Sequence, residues 1–227
     1  MIDDFLKPLI LFFIKYPEVG QVKTRLAAVI GDDKAAELYG NFVQDLLSGL
    51  KSLKISFHVC FLPEEKRGAV MSWLGGEFRY RPQKGGDLGE RMKDAFIAAF
   101  SEGLGRVILI GSDFPDLPLS YLVEALGELH THDAVLGPAV DGGYYLIGFR
   151  SDAFLPEIFD NMVWGTDSVY RQTLSKLTAH KKTVYILTPW NDVDTFQDLE
   201  KLIDRSRYSP FSNSKTMAFL SHMGVGP

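Results

Sequence analysis

The sequence predicts an α/β domain built on a mixed, mostly parallel β-sheet. Apolar runs that read as strands alternate with amphipathic stretches that read as helices along most of the chain, and such alternation builds a parallel sheet. The run 106–110 is bulky and continuous, as suits a central strand covered on both faces. Segments 134–136 and 144–149 flank the turn sequence Asp141-Gly142-Gly143, which favours a hairpin and adds an antiparallel element.

The elements follow in order. The first strand is the apolar run 9–14. Residues 32–53 predict a helix capped by Asp32 or Asp33, with an apolar stripe through Ala36, Leu38, Phe42, Leu46, Leu47 and Leu50. Residues 55–61 alternate apolar and polar, the pattern of a half-covered strand. A short helix over 66–74 and a short strand over 78–81 come next. Residues 87–100 predict a second long helix, with Leu88, Met92, Phe96 and Ala99 on one face. Beyond the strand at 106–110, a helix is expected over 119–129, then the hairpin, then helical segments at 154–159 and 167–177. Residues 183–187 form the last strand, and Asp194 or Thr195 caps a final helix through Ile203. Residues 206–227 are rich in Ser, Gly and Pro and lack periodicity. The expected organisation is a domain over 1–205 and an extended C-terminal tail over 206–227, with Phe211, Met217 and Phe219 as docking points.

A chain of 227 residues suits one such domain and buries roughly 70% of its unfolded surface without disulfide staples. The net charge of -5 argues against a nucleic-acid binder, although Lys23 and Arg25 can still build a local anion site. Cys60 is the sole cysteine, which excludes an intramolecular disulfide and a cysteine-based zinc site and fits a reducing compartment. The start Met1-Ile2-Asp3-Asp4 carries no basic region ahead of an apolar stretch. The first apolar run is too short to span a bilayer. The expectation is a cytoplasmic protein without membrane insertion; a homo-oligomer stays open.

Several predicted strands end in polar or glycine-rich segments, the edge at which open α/β sheets bind ligands. After the first strand stands Gly20-Gln21-Val22-Lys23-Thr24-Arg25. Gly20 permits a tight turn, Lys23 is a compact point charge, and Arg25 is a fork matched to phosphate oxygens. The segment is neither a P-loop nor a dinucleotide fingerprint; its plain alternative is a solvated basic loop. After the run 106–110 stands Gly111-Ser112-Asp113-Phe114-Pro115-Asp116. Asp113, a carboxylate just past a buried strand, suits magnesium, which takes one or two carboxylates plus substrate phosphates. Asp116 reads as a helix cap. In Asp192-Val193-Asp194-Thr195, alternation sends Asp192 and Asp194 to one face, where one of them can complete the metal site or Asp194 can serve as a cap.

Three further segments read as substrate or nucleotide contacts. Asp141, Gly142 and Gly143 are either a plain hairpin turn or a place where substrate lies against the backbone, with Tyr144 or Tyr145 stacking on it. Gly86 and Asp87 precede a helix that Asp87 and Glu90 cap; the double glycine Gly85-Gly86 suggests close approach to a nucleotide. Trp164 reads as pocket wall or core, and Thr166 or Ser168 as the cap of the helix that follows.

Together these segments are more specific than any alone. Tyr16-Pro17-x-x-Gly20-x-Val22-Lys23-Thr24-Arg25-Leu26, Asp87-Leu88-Gly89-Glu90-Arg91-Met92, Gly111-Ser112-Asp113-x-Pro115, Asp141-Gly142-Gly143-Tyr144-Tyr145-Leu146-Ile147-Gly148, Trp164-Gly165-Thr166 and Asp192-Val193-Asp194-Thr195 closely resemble a bacterial family of glycosyltransferase-A-like transferases. That family is also labelled radical-SAM/selenodomain-associated transferase 1. The resemblance implies a nucleotide-diphospho-sugar transferase fold of the GT-A type, a three-layer α/β/α sandwich. It implies that Lys23 and Arg25 hold donor phosphates, that Asp113 holds a magnesium or manganese ion and that Asp194 completes the metal site. The glycine-rich loop usual after the first strand of nucleotidyltransferase relatives is replaced here by Lys15-Tyr16-Pro17.

The expected activity is a metal-dependent transferase that takes a nucleotide or nucleotide-sugar donor and a small-molecule acceptor. Sugar transfer leads. Nucleotidyl transfer with pyrophosphate leaving is the alternative, and a non-catalytic nucleotide-binding module is a third reading. Nucleotide-binding candidates are Gly20, Lys23, Arg25, Gly86 and Asp87; substrate-binding candidates are Asp141, Gly142, Gly143, Tyr144, Trp164 and Thr166.

Overall fold

The computed structural model describes residues 7–225, so Met1–Asp4 and the last two residues of the expected tail lie outside it. Seven strands form a single sheet: β1 (Pro8–Lys15), β2 (Phe57–Leu62), β3 (Arg79–Pro82), β4 (Arg106–Ile110), β5 (Ala134–Pro138), β6 (Tyr144–Arg150) and β7 (Val184–Ile186). Their spatial order is β3-β2-β1-β4-β6-β5-β7. β6 enters antiparallel between β4 and β5, whereas β1 pairs parallel with β2 and β4, and β5 parallel with β7. The sheet is thus mixed and mostly parallel, and the expected hairpin is its antiparallel element.

β1 shows why the sheet must be covered twice. Ile10, Phe12 and Ile14 enter one core cluster, and Leu9, Leu11 and Phe13 enter the other, the alternation a strand imposes. The first face is covered by α1 (Thr24–Ile30), α2 (Asp32–Ser52), α3 (Arg67–Leu74), α5 (Leu119–Glu128), α7 (Phe196–Ser206) and α8 (Lys215–His222). The second is covered by α4 (Leu88–Ser101), α6 (Val169–Ala179) and the short turn Pro156–Phe159. This is a three-layer α/β/α sandwich. Among the described residues no helix is long and apolar enough to cross a membrane.

Four local expectations are corrected. α2 is capped by Gly31, not by an aspartate; Asp32 and Asp33 lie inside its first turn, where their charge still favours the helix dipole. The segment 154–159 is not one helix but a 3-10 turn beginning at Pro156. Asp116 does not cap α5, whose N-cap is Pro118. The segment expected as an extended tail forms α8, capped by Ser214, whose side chain accepts from Met217 N–H. Met217 and Leu220 are buried, and side chains of that size contribute roughly 1.5–3 kcal/mol each. Asp45 on α2 accepts the Lys215 and Thr216 amides at 2.9 Å each, so α8 is fixed to the body by both apolar and polar contacts.

Candidate active site

β1 and β4 lie side by side with Phe12 opposite Ile110, so the loops that follow them leave the same edge of the sheet. Tyr39 on α2 joins the two. Its hydroxyl accepts the Lys15 amide at 2.9 Å and lies 2.8 Å from Ser112 Oγ. Burial, helped by Asp113, pushes the Tyr39 phenol up to about 12, which keeps it protonated.

Asp194 follows β7 at the far side of the sheet, and the chain must cross back to bring it in. Backbone bonds mark that route: Leu187 N–H donates to Leu136, Trp190 to Pro138, and Val193 to the Asp113 carbonyl at 3.0 Å. Tyr145 adds a side-chain tether, its hydroxyl donating to Thr188 at 2.9 Å. Val193 is fully buried, so Asp192 and Asp194 are turned outward on either side of it. α7 is then capped by Thr195 through a box with Asp198. Asp194 is therefore not the cap and is left for the site.

Lys23 is the N-cap residue of α1, so the helix begins inside the basic motif, nearer than expected. Its backbone is left-handed, with φ 50°, unusual for a residue with a side chain. The ammonium contacts Asp113 Oδ1 and lies 2.6 Å from Asp194 Oδ1. The Lys23 side chain is 3% exposed, whereas those of Asp113 and Asp194 are 46% and 40% exposed. Burial opposes its charge, but Asp113 and then Asp194 outweigh that and hold its pKa above the ordinary lysine value. One ammonium thus faces two carboxylates. Nearby, burial and then Asp141 and Asp194 push the Asp192 carboxyl up to about 6, the response of a partly buried acid beside other carboxylates.

A cavity of about 540 Å³ opens over this edge and is lined by Lys23, Arg25, Asp113, Asp194 and Tyr144. These predicted residues the fold brings together. Others serve the scaffold. Gly20 makes a turn at φ 76° with open space around it. Gly86 donates its amide to Glu90 Oε2, and Asp87 accepts the Glu90 amide, which caps α4. Gly142, at φ 95°, is needed by the packing of the hairpin, because a Cβ there would stand 2.2 Å from the Asp167 carbonyl oxygen. Gly143 donates to Asp141 Oδ1 at 2.9 Å, closing the hairpin tip. Trp164 lies against Gly89, where a Cβ would stand 2.5 Å from its ring. Thr166 bonds Val163 O and Ser168 Oγ at 2.9 Å each. None of these eight residues lines the cavity.

The lining also contains Tyr39, Gln83 and Arg91, which sequence reasoning missed. Gln83 donates both amide hydrogens, to Ile14 O and Cys60 O at 3.0 and 2.8 Å, and Arg91 bonds the Gly85 and Gly86 carbonyls at 3.1 Å each. Gln83 follows an edge strand and Tyr39 lies on an apolar helix stripe, so neither carried a local signal.

Among the described residues no group of three or more His, Cys, Asp or Glu side chains is placed to hold a metal. Asp113 and Asp194 nevertheless converge on one cationic point. Two convergent carboxylates are the kind of oxygen ligands that magnesium or manganese takes, with further oxygens completing the shell.

The family model described as "Uncharacterized protein conserved in bacteria (DUF2064)" matches residues 46–166. A crystal structure from Desulfovibrio desulfuricans G20, provisionally named a nucleotide-diphospho-sugar transferase, is 47% identical over 96% of this chain and 95% of its own, with a TM-score of 0.94. The chain belongs to the DUF2064 family. At lower identity the likeness is one of fold. A cytidylyltransferase from Leptospira borgpetersenii is 13% identical over 96% of the DUF2064 chain and 94% of its own, with a TM-score of 0.56. A Mycobacterium tuberculosis H37Rv protein in complex with manganese is 12% identical over 87% and 98%, with a TM-score of 0.53. A search of curated proteins finds no match to the DUF2064 chain.

Proposed function

We propose that this chain is a magnesium- or manganese-dependent transferase that uses a nucleoside-diphosphate sugar as donor. The observation that carries this reading is the meeting of Lys23, Asp113 and Asp194 at one point in a cavity that Arg25 also lines. A basic pair and a carboxylate pair at one sheet edge suit a diphosphate and its cation. The 47% identical relative carries the name of this donor class. The single buried cysteine suits a reducing compartment, and we place the reaction in the cytoplasm.

Arg25 would orient the diphosphate by paired hydrogen bonds, and Lys23 would neutralise charge as the bond to the leaving phosphate breaks. Asp113 and Asp194 would hold the divalent ion. Bound there, that ion supplies Lewis-acid charge at the phosphate oxygens. The half-buried Tyr144, its phenol pushed up by burial, offers a neutral wall for the acceptor. The label radical-SAM/selenodomain-associated transferase 1 is carried by the sequence resemblance.

Nucleotidyl transfer from a nucleoside triphosphate is the second reading, favoured by the two adjacent cations Lys23 and Arg25, since a triphosphate carries more charge. Incubation with manganese and a panel of nucleoside-diphosphate sugars and triphosphates separates the two. Release of a nucleoside diphosphate supports sugar transfer, and release of pyrophosphate supports nucleotidyl transfer. Release that persists in Asp113→Asn would remove this site from either reaction.

A further inference from the structure

The two carboxylates of the proposed metal site already meet the Lys23 ammonium, through Asp113 Oδ1 and Asp194 Oδ1. An ammonium and a divalent ion cannot share them, because like charges at contact distance repel strongly in a partly buried site. Nor is the lysine loosely placed. It caps α1 in a left-handed conformation, and the helix behind it is anchored by Leu26 and Ala27. Its ammonium also lies 5.8 Å from the centre of the Phe42 ring. A buried ammonium stripped of its partners is costly. Lys23 therefore gives up the carboxylates only where another anion takes their place, and the cavity it lines is where the donor phosphates would lie.

We propose that Lys23 is a resident placeholder cation: it occupies the Asp113–Asp194 pair in the free protein and yields it to a divalent metal only when donor phosphates arrive to receive the ammonium. The inference rests on the proposed donor and metal site and adds an order of events to it. Metal and phosphate then bind with positive linkage, each raising the affinity for the other. Removing the lysine uncouples them, because two facing carboxylates without their ammonium attract a divalent ion directly.

The test measures manganese retained with the full-length protein on ultrafiltration, with and without inorganic pyrophosphate. The wild type should bind manganese weakly alone and at least about tenfold more tightly with pyrophosphate, a factor typical of coupled sites. Lys23→Met should bind manganese alone at least about tenfold more tightly than the wild type, with little further gain from pyrophosphate. Lys23→Gln, which keeps a polar tip, should shift the same way. If either variant is unstable without metal, the manganese-dependent rise in its melting midpoint reads the same affinity. Manganese binding to the lysine variants no tighter than to the wild type overturns the proposal. If pyrophosphate-dependent binding to the wild type still disappears in Asp113→Asn, the metal site stands and the placeholder alone fails. No retention under any condition rejects both.

Discussion

Arg205 on α7 grips Asp116 with two hydrogen bonds, Nε to Oδ2 at 2.6 Å and Nη2 to Oδ1 at 2.9 Å. Asp116 stands three residues beyond Asp113, and α7 begins just after Asp194. The pair therefore ties the end of α7 to the loop that carries Asp113. Asp116 is 7% exposed and also accepts the Trp190 indole N–H.

Breaking a buried ion pair leaves one charge without compensation. Arg205→Met should lower unfolding free energy by about 2–4 kcal/mol, discounted for the partial exposure of Arg205. It should also weaken manganese binding, since the segments that carry Asp113 and Asp194 then lose one of their ties and keep the Val193-to-Asp113 backbone bond. Denaturant unfolding and metal retention check the two effects separately. A variant as stable as the wild type would deny Asp116–Arg205 this role.

Arg25 lines the cavity and is exposed. In the proposed site its guanidinium serves the donor alone. Arg25→Ala should leave the melting midpoint within about a degree of the wild type, as exposed substitutions generally do. Donor affinity should fall by about 10- to 100-fold, the cost of losing hydrogen bonds to a charged group. Calorimetric titration with the donor found in the turnover panel reads this directly, and unchanged affinity would remove Arg25 from the phosphate site.

Gly142 tests a structural assignment. The hairpin tip packs so closely on the loop before α6 that a Cβ would stand 2.4 Å from Asp167 Cα, and the Gly142 carbonyl accepts the Tyr170 amide at 2.9 Å. Gly142→Ala should destabilise the protein by about 1–3 kcal/mol through left-handed strain and overpacking. Donor affinity measured well below the melting midpoint should be unchanged. A stable Gly142→Ala with impaired donor binding would return this glycine to the ligand site.

His58 on β2 is 6% exposed, and its Nδ1 has no hydrogen-bond partner. Burial, then Arg79 and Arg81, push its pKa down to about 4. The unfolded chain, with an ordinary histidine near 6.5, takes up the proton first. The stability contributed by the neutral ring is thus fully present above about pH 6.5 and is lost as pH falls toward about 4, by roughly 2–3 kcal/mol at pH 4.5. The stability of the wild type relative to His58→Leu should fall by that amount from pH 7 to pH 4.5 in matched urea titrations. A constant gap would show that His58 titrates alike in both states.

The parts of the fold legible in the sequence were those with a strong period or turn signal. The long stripe of α2, the continuous run of β4 and the hairpin at Asp141-Gly142-Gly143 all stand where expected. α8 escaped because a two-turn helix with two buried apolar residues, Met217 and Leu220, shows too little periodicity to rise above its Ser- and Gly-rich surroundings. At the site, Asp113 and Lys23 could be picked out because each follows a strand end. Their contact through one ammonium could not, since it depends on the left-handed backbone at Lys23 and on the return of the chain from β7. Gly86 and Gly142, read as ligand contacts from sequence, have local duties that no spacing shows: Gly86 donates to Glu90 on α4, and Gly142 packs on Asp167.

A thermal-shift screen of nucleoside-diphosphate sugars and nucleoside triphosphates, each with and without manganese, tests the central claim most directly. Manganese-dependent stabilisation by one ligand class is expected, lost in both Asp113→Asn and Asp194→Asn, because a ligand that binds only the folded state raises its midpoint. No shift with any ligand at millimolar concentration, or a shift that survives both substitutions, would contradict it.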